Sequence, residues 1–431
     1  MITTIMIIVF VLGYLAIAFE HPIKIDKAAS ALLIGGICWA LFAFSGISQD
    51  LEYEIQHHII HIAEILFFLL GAMTIVEMVD VNGGFTIITE KIKTTNKLKL
   101  IWIISAIAFF FSAVLDNLAT AIVMASLINK MMKNKEDVWF FGGLVILAAN
   151  AGGAWSPIGD VTTIMLYAKS YVSERIIIDI FIPSLVCAIV PLIYLSFKVS
   201  GELEINEIDN SNEKTINTPF ERNVIFYVGV LGLLFVPVFK IITGLPPFMG
   251  MLLSLGILWM ISEYLHRNKL TENKSKVSVI YALKKVDTPT IFFFLGILLA
   301  VSSLQSAGQL DILAKYLETT FNGNSLNGIF IINIIIGLLS SIVDNVPLVA
   351  GAMQMYQELL NAPGFYESDG VFWQFLAYCA GTGGSVLIIG SAAGVAIMGI
   401  LKIDFIWYLK NISILALVGY LAGAATYILI Q

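Results

Sequence analysis

Hydrophobic residues run along this chain in long blocks, with the polar positions falling between them. Ten blocks reach the roughly 20 residues that a bilayer-crossing helix needs. They lie near 2–19, 28–47, 59–79, 138–171, 176–197, 222–239, 245–264, 288–307, 371–401 and 404–430. Two further blocks, 100–132 and 327–356, carry a polar pair at their centres: Asp116-Asn117 and Asp344-Asn345. Each is either one long crossing helix or a re-entrant helix-turn-helix hairpin. The blocks are too long and continuous for the alternating strands of a membrane barrel. The pattern predicts an all-α polytopic membrane protein.

Charge chooses between the two readings of the central blocks. With both as hairpins and the N-terminus outside, 20 of the 24 Lys and Arg fall on one side of the membrane. Only Lys169, Arg175, Lys240 and Lys315 fall on the other. The richer side is the cytoplasmic one by the positive-inside rule. Both termini then lie outside, the first hairpin enters from the cytoplasm, and the second enters from outside.

The halves match in more than the acidic pair. Phe67-Phe68-Leu69-Leu70-Gly71 is similar to Phe293-Phe294-Leu295-Gly296. A glycine turn follows each (Gly83-Gly84, Gly308), then an amphipathic segment (Phe85–Lys93, Leu310–Thr319), then the hairpin. Next comes a helix interrupted by glycine, Asn150 to Asp160 in one half and Gly381 to Gly394 in the other. The expected fold is an inverted repeat with two re-entrant hairpins, two broken transmembrane helices and about 10 crossing helices, an arrangement that points to a midplane site. It divides into first-repeat scaffold helices (1–99), first-repeat hairpin, broken helix and following helix (100–197), a cytoplasmic linker (198–221), second-repeat scaffold helices (222–326) and the second transport part (327–431).

Composition agrees. Apolar residues make up 58% of 431 and charged residues 13%, against about a quarter charged in soluble domains. Cys38, Cys187 and Cys379 lie inside apolar blocks and form neither a metal spacing nor a disulfide framework. The first block lacks a basic leader and a small-residue cleavage site, so it is expected to be retained. No GxxxxGK[ST] phosphate loop is present, so an ion gradient rather than ATP is the expected energy source and no enzyme is expected.

A carboxylate at bilayer depth costs about 2.5–3.5 kcal/mol on insertion scales. Asp and Asn also suit turns and helix caps, and Asn117 and Asn345 are read as closing the turns. Ser or Asn would cap at lower cost, however, so an acid at both equivalent places, Asp116 and Asp344, argues for a cation site. Between Asn150 and Thr163, Gly152-Gly153 and Pro157-Ile158-Gly159 interrupt the helix and free carbonyl oxygens. Asp160 is both a good N-cap and a candidate ligand, and Thr162 and Thr163 add hydroxyl oxygens suited to a hard cation. The second break offers Gly381, Thr382, Ser385 and Ser391 without a carboxylate, so the site is asymmetric. Ser340 and Ser341 precede Asp344 by about one turn. On the 59–79 helix, His61 and Glu64 share a face, His57 stands at the outer end and Glu77 near the cytoplasmic end.

With these residues in hand, the chain resembles the NhaD-type sodium/proton antiporters of the ion transporter superfamily. The resemblance spans nearly the whole chain. It rests on DNLAT (Asp116–Thr120), DNVPL (Asp344–Leu348), NAGGAWSPIGDVTT (Asn150–Thr163) and GTGGSVLIIGSAAGV (Gly381–Val395). Ser112, one turn before Asp116, departs from the acid that some relatives carry. The resemblance implies a scaffold, a mobile transport domain with elevator-like movement, a homodimer, and an inner-membrane location. It implies cytoplasmic Na⁺ or Li⁺ exchanged for external H⁺, with no cofactor and no nucleic acid; the partners are membrane lipid and the transported ions. Carried over by position, the cation and proton residues would be Asp116, Asn117, Asn150, Asp160, Thr162, Thr163, Ser340, Asp344, Asn345, Ser385, Ser391, Glu64 and His57. Na⁺ itself would sit on Asp116, Asp160, Thr163 and Asp344. The rivals on the same scaffold are a Na⁺-coupled carboxylate or other anion symporter and an arsenite-type permease. Two acidic tips would repel an anion. A cation channel would need a repeated pore ring, which the pattern lacks.

Overall fold

Backbone at bilayer depth has no water to bond to, so it must satisfy its own donors and acceptors, which helices do. The computed structural model describes residues 2–18, 23–47, 50–89, 94–203, 217–323, 325–342, 345–360 and 363–431. Asp344 and linker residues 204–216 lie outside the described residues. Among the described residues the regular elements are helices, with one isolated bridge between Asn96 and Glu202. Nine of those helices are long and apolar enough to cross a membrane, or up to ten if a bent pair counts as one span.

The first repeat holds α1 (Ile2–Ala18), α2 (Lys27–Ser45), α3 (Leu51–Val81), the hairpin α4 (Lys97–Leu115) and α5 (Asn117–Met131), the broken pair α6 (Lys135–Ala154) and α7 (Val161–Ala168), and α8 (Phe181–Ser196). The second holds α9 (Pro219–Thr243), α10 (Pro247–Leu265), α11 (Thr288–Ser306), the amphipathic α12 (Gln309–Phe321), α13 (Leu326–Leu339) and α14 (Asn345–Met355), the broken pair α15 (Val371–Gly383) and α16 (Ala392–Leu401), and α17 (Ser413–Ile430). Side-chain caps set many of these starts. Asp26 accepts from Ala28 N, Asn96 from Lys99 N and Asn134 from Glu136 N, each satisfying a donor that the first turn leaves over.

Two boundaries differ from the sequence reading. α3 starts at Leu51, not near 59, because Asp50 caps Tyr53 N and Glu52 and Glu54 favour the positive end of the helix dipole. The expected 404–430 helix divides. Asp404 caps a separate turn, Phe405–Asn411, bent by 116° from α16, and α17 then starts at Ser413.

The two repeats interlock. α2 packs on α11 while α10 packs on α3, and α8 packs on α17. The second hairpin arms cross over: α5 lies against α16, and α14 against α7. Within each repeat the first hairpin arm packs on the helix before the break, α4 on α6 and α13 on α15. These contacts repeat almost atom for atom. Ser112 Oγ donates to Ala149 O at 2.5 Å, and Ser340 Oγ donates to Ala380 O at 2.8 Å. A Cβ on Gly152 would lie 2.1 Å from Phe109 O; one on Gly383 would lie 2.0 Å from Gly337 O. Only glycine lets the hairpin backbone approach the broken helix this closely, and it does so at equivalent places in both halves.

Gly152→Ala and Gly383→Ala should therefore each force hairpin and broken helix apart. Either variant should lose several degrees of thermal midpoint in detergent, or fail to accumulate. Gly256→Ala, where an added Cβ meets nothing within 4 Å, should match or slightly exceed the parent. Intrinsic-fluorescence melting of the three variants measures this.

Candidate functional site

The first hairpin turns at Asp116, whose backbone adopts φ 84°, a conformation that costs a non-glycine residue on the order of 1–3 kcal/mol. The turn ends α4, and the Asp116 carboxylate then caps α5 by accepting from Ala119 N at 2.7 Å. Asn117, the next residue, is thereby delivered to the first helix break. That break runs from Trp155 to Asp160. Asp160 caps α7 in a reciprocal capping box with Thr163, whose Oγ1 is held by the Asp160 backbone at both N and O.

The Asp160 carboxylate is 1% exposed and collects donors from three elements. Asn117 Nδ2 reaches its Oδ2 at 2.5 Å. Asn345 Nδ2, from the second hairpin, lies 3.3 Å from both oxygens. Thr162 donates to Oδ1 through its backbone N at 2.8 Å and its hydroxyl at 2.7 Å. Asn150, fully buried on α6, continues the network. Its Oδ1 accepts from Asn117 Nδ2 at 3.1 Å, and its Nδ2 donates to Ser385 Oγ at 2.9 Å and Ser391 Oγ at 2.8 Å. Two hairpin tips and two helix breaks thus meet in one hydrogen-bonded cluster.

The sequence placed Asn117, Asn150, Asp160, Thr162, Thr163, Asn345, Ser385 and Ser391 at this site, and the structure brings all eight into the cluster. Asp116 stands at its edge as the cap of α5, and no Lys, Arg or His among the described residues forms an ion pair with it. Ser340 lies outside the cluster, pinning Ala380 O. Glu64 also lies outside it; its carboxylate pairs with Lys169, just past the end of α7. His57 is exposed on the first turns of α3, stacked against Tyr53. Buried instead is His58, whose Nε2 meets Ser306 Oγ at 3.0 Å while that hydroxyl donates to Glu54.

Two oxygens in the hairpin are unspent. Asn117 Oδ1 and Thr120 Oγ1 are buried without a hydrogen-bond partner. A buried acceptor left in this way is costly, and neutral oxygens beside carboxylates are what a hard cation takes as ligands. Thr120 was not singled out from sequence. Its signal was its place three residues after Asn117, on the same helical face. Ser112 was noted only as a departure from relatives; it anchors the hairpin to α6 and to the break, bonding Ala149 O and, at 3.4 Å, Gly159 O.

Residues 14–374 match the family model described as citrate transporter. The chain is 43% identical over 429 residues to "Sodium/proton antiporter 1" of Arabidopsis thaliana, covering 99% of this chain and 72% of that protein. It is 40% identical to "Sodium/proton antiporter 2" of the same plant, over 99% of both chains. The chain belongs to this family, in its NhaD-type sodium/proton antiporter branch. "Na(+)/H(+) antiporter NhaD" of Vibrio cholerae is 28% identical over 470 residues, covering 99% of this chain and 91% of that protein. The family is one of transporters, not enzymes.

Asn150, on the helix that leads into the first break, joins the first hairpin tip through Asn117 to the second break through Ser385 and Ser391. Asn150→Ala removes three hydrogen bonds and leaves Ser385 and Ser391 without that donor. It should cost about 2–4 kcal/mol of stability, against about 1 kcal/mol for Ser385→Ala. Chemical unfolding of the purified variants measures both; equal costs would contradict the bridging role.

Proposed function

We propose that this protein exchanges cytoplasmic Na⁺, or Li⁺, for external H⁺. One observation carries the proposal: buried carboxylates stand where two hairpin tips and two helix breaks converge, among amide and hydroxyl oxygens. The sodium/proton antiporter relatives support the same ions. A carboxylate in low dielectric needs an opposite charge close by, since unit charges at 4 Å interact by about 4 kcal/mol even at an effective dielectric of 20. A proton or a desolvated Na⁺ each meets that need, and one excludes the other. Competition for Asp116 and Asp160 then couples the two fluxes, with Asn117, Thr120, Thr162 and Asn345 as neutral partners. Asp344, the counterpart of Asp116 in the sequence repeat, shares in the binding in this reading.

Access alternates by an elevator movement of the hairpins and broken helices against α1–α3 and α9–α11. The protein works as a homodimer in the inner membrane, with both termini outside and the lysine-rich loops in the cytoplasm. α9 and α10 support the dimer: only 28% of their most apolar stretches is buried within the chain. The description of the family model favours a second reading, a citrate or other carboxylate carrier. The acidic cluster opposes it, because an anion placed there would meet like charge.

Reconstituted protein in liposomes tests the exchange. An outward proton gradient should drive saturable uptake of radiolabelled sodium, and labelled citrate should not enter; citrate uptake with sodium and no proton dependence would favour the second reading. Asp116→Asn and Asp160→Asn should each abolish exchange at saturating Na⁺. Asparagine at 160 caps α7 as well as aspartate does, but its amide faces the donors of Asn117 and Asn345. Thr162→Ala should weaken apparent Na⁺ affinity about tenfold, as expected for one charge-assisted hydrogen bond, and leave the maximal rate. Topology has its own check: Lys133→Cys and Gln357→Cys should be labelled by impermeant maleimide from opposite sides of the membrane.

A further inference from the structure

α7 starts at Asp160 and so carries the cluster at its N-terminal end. Its other end is held by α3 and α9, which stay still in the elevator movement proposed above. Lys240, on α9, donates to Tyr167 O at 2.9 Å, and its ammonium stands 3.8 Å from the centre of the Tyr167 ring. Glu64, on α3, pairs with Lys169, the residue that ends α7. Tyr167 is fully buried, and its hydroxyl donates to Glu174 at 2.6 Å, which fixes the ring that Lys240 covers.

A lysine near the end of an apolar span ordinarily extends along it toward water. Lys240 instead reaches the carbonyl end of a half-helix, where the helix dipole favours a cation. The ring face adds a cation–π attraction at the same point. The Lys169 and Glu64 side chains are 14% and 25% exposed, so this pair is mostly out of water and is screened less than a surface pair. Charge-assisted contacts of this kind are the strong ones. Gln305 of α11 adds a neutral, exposed contact to Gln357, beyond α14, at 3.0 Å.

A body that slides against α3 and α9 carries α7 with it, and both lysine contacts then have to part. They stand a helix length from Asp160, about 12 Å for eight residues, so their effect on the site passes through the position of α7. We propose that Lys240 and the Lys169–Glu64 pair form a latch, which holds α7 docked on α3 and α9 and opens each time the site changes sides. The latch rests on the elevator reading. Lys240, Lys169 and Glu64 are positioning residues in it.

Spin labels on Ser170→Cys and Thr243→Cys, exposed positions next to the latch, report the separation of the α7 end from α9 in the full chain by pulsed electron resonance. Lys240→Met and Glu64→Gln should each raise the ratio of displaced to docked molecules about tenfold, and together they should raise it further. Lys240→Arg keeps a donor and a cation over the ring, and Glu64→Lys with Lys169→Glu keeps the pair; both should return the parent distribution. Lys97→Met breaks a pair of similar burial inside the moving body, Lys97 with Asp137, and should leave the distribution unchanged. An unchanged distribution in Lys240→Met with Glu64→Gln would overturn the latch. So would an equal change in Lys97→Met, which would mean general loosening. Glu64→Cys bridged to Lys169→Cys by a short bis-methanethiosulfonate should halt sodium exchange until the bridge is reduced; exchange that continues through the bridge would also overturn it. A parent that exchanges no sodium, while its label distances respond to the latch variants, would sink the exchange reading and leave the latch standing.

Discussion

The Asp160 carboxylate, 1% exposed in the middle of an apolar bundle, is kept there by donors that no single helix could supply. Asn117 comes from one hairpin tip, Asn345 from the other, and Thr162 from the helix that Asp160 itself caps. An isolated carboxylate in hydrocarbon would be expelled or protonated. The fold is arranged so that these three elements meet. Gly152 and Gly383 let the hairpins press against the broken helices, and Ser112 and Ser340 peg them in register. The breaks that would weaken a helix elsewhere are tolerated because the freed backbone finds partners inside the protein.

The two halves share this architecture but not its charge. Asp160 and Ser391 occupy equivalent helix starts: each caps the half-helix after its break, Asp160 for α7 and Ser391 for α16. A carboxylate on one side and a hydroxyl on the other concentrates negative charge against the first hairpin. Asn150 then joins the two, accepting from Asn117 and donating to Ser385 and Ser391. In the exchange proposed above, this asymmetry sets where the cation loses its water. The second half supplies geometry and neutral oxygens to a site whose described charge comes from the first.

Much of this was legible in the chain. Block length and the one-sided placement of lysine and arginine gave the crossing helices and the hairpins, because both reflect the bilayer rather than any partner. The repeated Asp-Asn pair and the glycine-rich breaks pointed to residues that the structure gathers into one cluster, because helix-breaking residues and acids at membrane depth are costly without a purpose. What stayed hidden depends on distance across the chain. Nothing local in Glu64 tells that it pairs with Lys169 rather than joining the cluster. The role of Ser112 comes from a carbonyl 37 residues away. The early start of α3 was missed because polar Glu52, Gln56 and His57 broke the apolar pattern, while the cap at Asp50 and the acidic first turn make a helix there regardless.

In the proposed exchange, cation and proton compete for the same buried carboxylates. Calorimetric titration of Na⁺ into the purified protein, repeated in buffers of different ionisation enthalpy, measures protons released per cation bound. Competition requires net proton release on Na⁺ binding, falling as pH rises and the carboxylates are already deprotonated, and diminished in Asp116→Asn. Saturable Na⁺ binding with no proton release at any pH would contradict it.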